Sequence, residues 1–451
     1  VNPPRWPGSP IVGSLVDLRG DRAELFRRAA LASGGIVELV VGPRRVVVLS
    51  DPELIHELLV VRADEFVKDT RAFTMMRDVL GTGSLLSDGE VWRRQRRINQ
   101  PAFRRDRLGA FAQIQVDGGE ALAAAWRDRR DVEDAGADVL GATMQIAARA
   151  FLGADVAGQV DALRQAFDAV SRATTRRILS PFSTPLWVPS PTNRHLLRNR
   201  AMIEGILRGI LARRRAGPPQ DDLLGRLLAS TDEETGTAYT DDEVLVEMKT
   251  MFLAGFETVA NGLVWSVLAL GRDPGWQERL AEEASNLPDG PADATWLDRL
   301  PIARRAFQET LRWRPPIWAT GRSAPEDREL GPYRIRAGTW IFASPYALHH
   351  DPRFWPEPDR WDPDRFLPDA VAGRARHTYL PFGLGPRRCI GEHFALMEGP
   401  LVLATLARRI RWQALGDDVA CEPIVTLRPA RPVRLRVAPR GSGGPGEERP
   451  G

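Results

Sequence analysis

A mainly helical protein with a small β-rich lobe is the fold this sequence predicts, on three observations. Long Ala/Leu/Arg-rich segments with helical spacing fill most of 107–215, and the longest uninterrupted helical pattern runs over 241–271. The β-rich runs are few and short, at 36–41 and 46–49 near the start and at 333–335 and 339–343 beyond the pair Pro315-Pro316. A Gly/Pro-rich stretch from Leu380 to Gly391 leads directly into an apolar helix over 392–410. At 451 residues the chain is long enough for two or three ordinary domains, and a large single-core enzyme also reaches this size. Hydrophobic residues at 43% allow an extensive core.

In chain order, residues 3–13 are irregular and 21–32 reads as a helix with Leu25 and Phe26 inward. The runs 36–41 and 46–49 flank Gly42-Pro43-Arg44-Arg45 and make a hairpin. Asp51-Pro52 starts a helix to about Val61, and 62–87 reads as loop carrying Phe73, Met75, Met76, Leu85 and Leu86. A proline-rich apolar break at 181–189 has the character of a mobile lid, with Phe182 and Trp187 either touching a greasy ligand or membrane surface or simply packing. Residues 217–241 form a polar connector with one short helix at 222–228, 301–314 is helical, 356–368 is loop, and 424–427 reads as a strand tip reaching a substrate. The expected organisation is one unit over 1–439 and a disordered Gly/Pro/Glu-rich tail at 440–451.

Three groups of residues carry chemistry. In the stretch 380–391, glycines at Gly383, Gly385 and Gly391 permit a tight turn and direct amide N–H groups towards the sulfur of Cys389. Phe382 is placed to shield that sulfur and Arg387 to meet an anionic group; a thiol so presented suits iron, whereas an isolated cysteine behind a turn is more often structural. Within 241–271 lies Ala254-Gly255-Phe256-Glu257-Thr258. A helical glycine costs about 1 kcal/mol against alanine, so Gly255 is expected to leave room for another molecule, the alternative being a small-residue helix crossing. Trp92 and Arg96, four apart, share one helix face and together can hold a carboxylate, unless this is only a solvated basic helix. Glu309 and Arg312 likewise share a face and taken singly make a surface ion pair.

The string from Phe382 to Gly391 fits Phe-x-x-Gly-x-Arg-x-Cys-x-Gly at every fixed place, and in this it resembles the cytochromes P450. The resemblance runs from the N-terminal Pro/Gly segment to about Pro439, with four motifs in the family's order. It implies a single mainly helical domain shaped like a triangular prism, with haem b between the long central helix and the cysteine loop. Cys389 is then the axial iron ligand. Trp92 and Arg96 meet one haem propionate and Arg322 the second. Ala254, Gly255, Glu257 and Thr258 form the oxygen-binding motif, in which Thr258 hydrogen-bonds dioxygen and Glu257 relays protons. Glu309, Arg312 and Arg365, with Arg360 in reserve, make a structural triad that pins the cysteine loop. His393, one turn past Cys389, reads as a surface or supporting residue.

The implied activity is that of a monooxygenase that uses O2 and two external electrons to hydroxylate or epoxidise a hydrophobic small molecule, terpenoid, carotenoid or fatty-acid-like. A pocket of Phe73, Met75, Met76, Leu85, Leu86, Met251, Phe252, Phe256, Ile317, Trp318 and Val425 offers no charged anchor. With only Cys389 and Cys421 present, no cysteine set remains for an iron–sulfur cluster, so electrons from NAD(P)H must arrive through a separate ferredoxin and ferredoxin reductase. Arg93, Arg94, Arg97, Arg387 and Arg388 form the expected basic docking face. A net charge of +3 is too slight for nucleic acid. The cysteine usage fits a reducing cytoplasm, and no apolar run approaches the ~20 residues of a membrane span, which is expected of a soluble bacterial monomer. Two other readings are a peroxide-driven or redox-neutral haem-thiolate enzyme and a non-catalytic haem sensor. The Glu257-Thr258 pair argues against both.

Overall fold

The computed structural model describes all residues except 10–12, 15, 155, 181, 182 and 441–451, so Phe182 and nearly all of the predicted tail lie outside the described residues. Arg440, placed in that tail by the sequence, is anchored: its N–H donates to Arg409 O (3.0 Å) and its guanidinium to Glu278 (2.7 Å).

The central helix, Asp241–Arg272, begins at a capping box in which the Thr240 hydroxyl accepts from Glu243 N–H and the Glu243 carboxylate accepts from Thr240 N–H. Asp241, Asp242 and Glu243 in its first turn complement the helix dipole. Every residue from Val259 to Gly271 is buried, so this half is enclosed on all sides and forms the axis of the core. By length and composition it is the one described helix able to cross a membrane, but most of its apolar window is buried inside the protein. Around it pack the helices Ala135–Leu152, Pro191–Ala216, Pro301–Trp313 and Glu392–Arg409, the last of which follows the cysteine loop.

The β-rich lobe is a four-stranded sheet. The hairpin Ile36–Val41 and Arg44–Leu49 pairs with Ile36 opposite Leu49, Trp340–Ala343 runs parallel to the second hairpin strand, and Thr320–Ser323 lies antiparallel at the far edge. Val67 bridges Ser323 through reciprocal backbone bonds of 3.0 and 2.8 Å, which carries Lys68 to the sheet edge that holds Arg322. A separate hairpin, Cys421–Pro423 with Leu427–Pro429, presents Ile424, Val425 and Thr426 at its tip.

Three segments depart from expectation. The supposed loop 62–87 contains the helix Arg71–Leu80, whose Phe73, Val79 and Leu80 are buried. The guanidinium of Arg71 ties it to the end of the helix Val160–Leu179 by donating to Arg177 O (3.0 Å), Ile178 O (3.0 Å) and Ser180 O (2.6 Å). The helix starting at Pro52 changes at Glu57–Val61 to a π-helical turn. Residues 356–368 include the 3-10 turn Pro363–Phe366, capped by the Asp362 side chain accepting from Asp364 N–H.

Candidate active site

The cysteine loop is closed by a bond from Cys389 N–H to Phe382 O (2.9 Å), and its turns have Gly383 at φ +71° and Gly385 at φ +68°. Gly385 has a second constraint: a Cβ there would stand 2.2 Å from Leu59 O in the π-helical turn, so only glycine lets the loop rest on that segment. The Cys389 side chain is accessible rather than sealed in the core. Although the residue reaches solvent, the protein packed around its sulfur desolvates it and raises the thiol pKa above its ordinary value, opposed by the Gly391 N–H directed at it and by the charges of Arg96 and Arg388. Phe382 packs half-buried against the main core, and His393 is exposed.

Beside this loop lies a concentration of cations with too few carboxylates. Arg387 donates to Asp88 (2.5 Å) and Ser87 O (2.8 Å), and its guanidinium carbon stacks 3.8 Å over the Trp92 ring. Arg96 donates to Arg388 O (3.2 Å) and has no carboxylate partner among the described residues. Arg322 is buried, yet the one described hydrogen bond of its guanidinium goes to the neighbouring Gly321 O (2.7 Å). Burial lowers its pKa to about 10, as it does that of Arg387. Lys68 is buried as well, donates to Leu85 O (2.7 Å), and is held well below its usual pKa by burial and then by Arg322 and Arg387. A buried guanidinium with no counter-charge is costly. An accessible thiol flanked by Arg96, Arg322, Arg387 and Lys68 therefore fits a planar iron-bearing group with anionic edge substituents, and haem is such a group. Lys68 escaped sequence reasoning; its rarity was the signal, because Lys68 and Lys249 are the only lysines in the chain.

On the central helix, Ala254 is accessible and the Thr258 hydroxyl donates to Ala254 O (2.8 Å). The Glu257 carboxyl is raised in pKa, mainly by burial, and its Oε1 accepts from the Thr426 hydroxyl (2.8 Å). Asn261 Nδ2 in turn donates to Thr426 Oγ1 (3.2 Å) and to Glu257 O (3.0 Å). The expectation for Gly255 is corrected here. A Cβ on Gly255 would lie 2.2 Å from the Phe151 ring, so the missing side chain makes room for the neighbouring helix Ala135–Leu152, not for a small molecule. Phe151 in turn stacks 4.8 Å from Phe394 on the helix after Cys389.

The three triad residues do come together. Arg312 and Glu309 are fully buried and joined by two parallel bonds of 2.8 Å, and Arg365 Nε stands 3.6 Å from Glu309. Arg360 points elsewhere, 3.6 Å from Glu357 and largely exposed, and contributes only its carbonyl to Arg312 (3.1 Å). Arg312 also donates to His349 O and Pro358 O, both at 2.8 Å. His349 Nε2 accepts from Leu380 N–H (2.8 Å), so the triad reaches the first residue of the cysteine loop through one histidine. No sequence spacing pointed to His349.

The predicted pocket residues separate into groups. Phe252 and Phe256 are buried in a ring cluster with Phe167, at centroid distances of 5.7 and 5.1 Å. Trp318 packs on Phe26 (5.4 Å) and donates to Ile424 O (3.1 Å), which makes it a prop for the hairpin. Leu86 is fully buried, and Phe73 is buried under the Lys68 ammonium (5.4 Å). Phe73, Leu86, Phe252 and Phe256 are therefore core residues, and Trp318 is half-buried. Leu85 is exposed, and Met75, Met76, Met251, Ile317 and Val425 are half-buried and remain candidates. Trp187 is exposed, and Val425 sits on a hairpin whose tip reaches Glu257 through Thr426. The predicted docking arginines are each neutralised locally: Arg93 by Glu90 and Asp64, Arg94 by Glu243, Arg97 by Asp232 and Glu234, Arg387 by Asp88, Arg388 by Glu392. They do not make a free basic face.

Comparison with known proteins identifies the family and the fold. The family model "Cytochrome P450" matches residues 3–435. The chain is 34% identical over 438 residues to "Cyclooctatin synthase" of Streptomyces melanosporofaciens, covering 96% of this chain and 95% of that one. It is 33% identical over 442 residues to "Pentalenene oxygenase" of Streptomyces avermitilis, covering 97% of each. The crystal structure of the cytochrome P450DA heme domain superposes with a TM-score of 0.87 at 26% identity, covering 98% of both chains. The chain belongs to the cytochromes P450. Within that family it is an enzyme of the monooxygenase class.

Proposed function

We propose that this cytochrome P450 holds haem b through the Cys389 sulfur and oxidises a hydrophobic, terpenoid-like small molecule with O2 and two electrons from a separate carrier. The observation that carries the reading is the accessible Cys389 thiol, supported by the Gly391 N–H, together with two cations, Arg96 and Arg322, that have no carboxylate partner among the described residues. When bound, the haem supplies dioxygen activation and the removal of hydrogen from C–H bonds. Arg96, Arg322, Arg387 and Lys68 would hold its carboxylates, and Trp92 would keep Arg387 in plane. The Gly391 N–H stabilises negative charge on Sγ, and Phe382 limits water around it. Thr258 and Glu257, adjacent on the central helix, would handle protons, with burial raising the pKa of the Glu257 carboxyl and Thr426 positioning it.

The substrate class is suggested by the two Streptomyces relatives, one named for pentalenene and one for cyclooctatin, and by the apolar candidates Met75, Met76, Leu85, Met251, Ile317 and Val425. A ferredoxin with its reductase, drawing on NAD(P)H, would supply electrons. Haem reconstitution followed by reduction under carbon monoxide tests the ligand: the native protein should give a thiolate-type Soret band that Cys389→Ser loses. An imidazole-type band in the native protein would refute the assignment. A Soret-shift screen with cyclic di- and sesquiterpenes, fatty acids and steroids tests the substrate class. Shifts confined to the fatty acids or steroids would exclude the terpenoid reading.

A further inference from the structure

Between the helix Arg71–Leu80 and the helix Gly89–Asn99 the chain crosses as an irregular strap, residues 81–88, whose polar groups gather the nearby cations. Leu85 O accepts from the Lys68 ammonium (2.7 Å), Leu86 O from Arg77 (2.9 Å) and Ser87 O from Arg387 (2.8 Å). Gln95 pins the two ends of the strap, donating to Thr82 O (3.0 Å) and accepting from the Ser87 hydroxyl (2.5 Å). Its middle is held by the central helix. Gly83 lets the backbone lie against that helix, since a Cβ there would run into Thr250 Oγ1 and stand 3.2 Å from Val246. At this contact the Glu247 carboxyl accepts from Ser84 N–H and from the Ser84 hydroxyl, both at 2.7 Å, and from Asn99 Nδ2 (3.0 Å). The two Ser84 bonds are the described hydrogen bonds that join strap and central helix. Glu247 is fully buried with no cationic partner among the described residues, and burial raises its pKa against the donors on Ser84 and Asn99 that lower it. Such a group is costly to bury, and nothing in the oxidation chemistry uses it.

We propose that Glu247 is a positioning residue for the cofactor site: by holding Ser84 it fixes the middle of the strap, and through Leu85 O it sets the Lys68 ammonium at the edge where the anionic substituents of the cofactor bind. Ten residues before Glu257, Glu247 lies about 15 Å away along the helix axis and touches no reacting atom. Its removal takes two charge-assisted bonds from Ser84 and leaves the Gln95 ties in place. The ends of the strap then stay, and Ser84 and Leu85 come free. Lys68 loses its one described side-chain partner with them, whereas Arg387 keeps Ser87 O and Asp88 at the fixed end. This rests on the assignment of Lys68 to the haem site, but the chain from Glu247 through Ser84 and Leu85 to Lys68 is a property of the haem-free protein.

Lys68 and Lys249 are the only lysines, so amine acetylation followed by peptide mass spectrometry has one reporter and one control. Lys249 lies two residues beyond Glu247 on the same helix, held by Glu204 (2.6 Å), and responds to any loosening of that helix. In the haem-free protein Glu247→Ala should speed acetylation of Lys68 at least ~tenfold and leave Lys249 unchanged. Glu247→Gln keeps an acceptor for Ser84 N–H but turns an NH2 group on Asn99, so it should give a smaller increase. Adding Asn99→Asp gives that NH2 group an acceptor and should return the rate towards the native one; this pair carries the comparison should Glu247→Ala fail to fold, which circular dichroism melting reads. In the haem-loaded protein Glu247→Ala should speed haem transfer to apomyoglobin by ~tenfold, and by much less in a Lys68→Met background. Equal acceleration at both lysines, unchanged labelling of Lys68, or the same gain in haem transfer with and without Lys68 would overturn the proposal. Faster labelling of Lys68 alone beside unchanged haem transfer would support the chain from Glu247 to Lys68 and refute the place of Lys68 at the haem.

Discussion

Replacing Arg312 by lysine keeps the charge and removes the planar fork. In the native protein the guanidinium makes five bonds: two to Glu309, at 2.8 Å each, and one each to His349 O, Pro358 O and Arg360 O, at 2.8, 2.8 and 3.1 Å. An ammonium has three donors on a shorter, rounder head, so at least two of the five acceptors lose their partner. Glu309 retains Asp362 N–H (2.9 Å) and the more distant Arg365, but both of its oxygens are fully buried with it. A charged hydrogen bond contributes about 1.5–3 kcal/mol, so losing two costs about 3–6 kcal/mol, in the range seen when buried pairs are broken. Against a total stability of about 5–15 kcal/mol this is a large fraction. Urea unfolding followed by far-UV circular dichroism, on the haem-free and haem-loaded proteins, should show the midpoint falling sharply in both. Because Arg312 reaches Leu380 through His349, haem release from the variant should also quicken. A midpoint within about 0.5 kcal/mol of the native one would refute the claim that the fork, rather than the charge, holds this segment.

Three further outcomes follow from particular contacts. Gly255→Ala forces a methyl into the Phe151 ring and should destabilise the fold by about 1–3 kcal/mol despite the gain in helix propensity, with Phe151→Leu restoring most of it in a double-mutant cycle; a stable single variant would return Gly255 to a ligand-facing role. Arg322→Met should leave the haem-free protein as stable as before or more so, because the buried cation has no carboxylate partner among the described residues, yet speed haem transfer to apomyoglobin about 10- to 150-fold; slower or unchanged transfer would remove Arg322 from the haem site. Burial depresses the His349 pKa from 6.5 to about 3, so the neutral ring stabilises the fold fully above about pH 6.5 and that stabilisation is lost as the pH falls towards 3, by at most about 1.4 kcal/mol per pH unit. His349→Gln, which can still accept from Leu380 N–H, should show a shallower loss of urea stability between pH 6.5 and 4, and an equal slope would place the acid sensitivity elsewhere.

Much of the site was legible because its residues are close in sequence. Spacings of two to four residues around Cys389, between Glu309 and Arg312 and within 254–258 reflect the geometry of one turn or one helix face, which any chain with those residues must adopt locally. The helix Arg71–Leu80 was missed although Phe73, Met76 and Leu80 carry the period, because polar residues and nearby glycines dilute it. Gly255 was read as a place for a ligand because a missing side chain signals proximity without saying to what. Whether Phe151 or a small molecule fills that notch depends on how two helices 100 residues apart cross. The docking arginines were counted as free charge for the same reason: Glu243 and Asp232 are brought to Arg94 and Arg97 only by folding.

The amino-acid order alone determined the family, the helical class, the thiol and the ion pair of the triad, since these are written in short-range patterns that local backbone geometry enforces. Tertiary structure decided which cations lack counter-charges, which apolar residues are core rather than pocket, how His349 joins the triad to the cysteine loop, and how Thr426 reaches Glu257. Those are questions of burial and of distance between remote segments, and both exist only once the chain has closed its core.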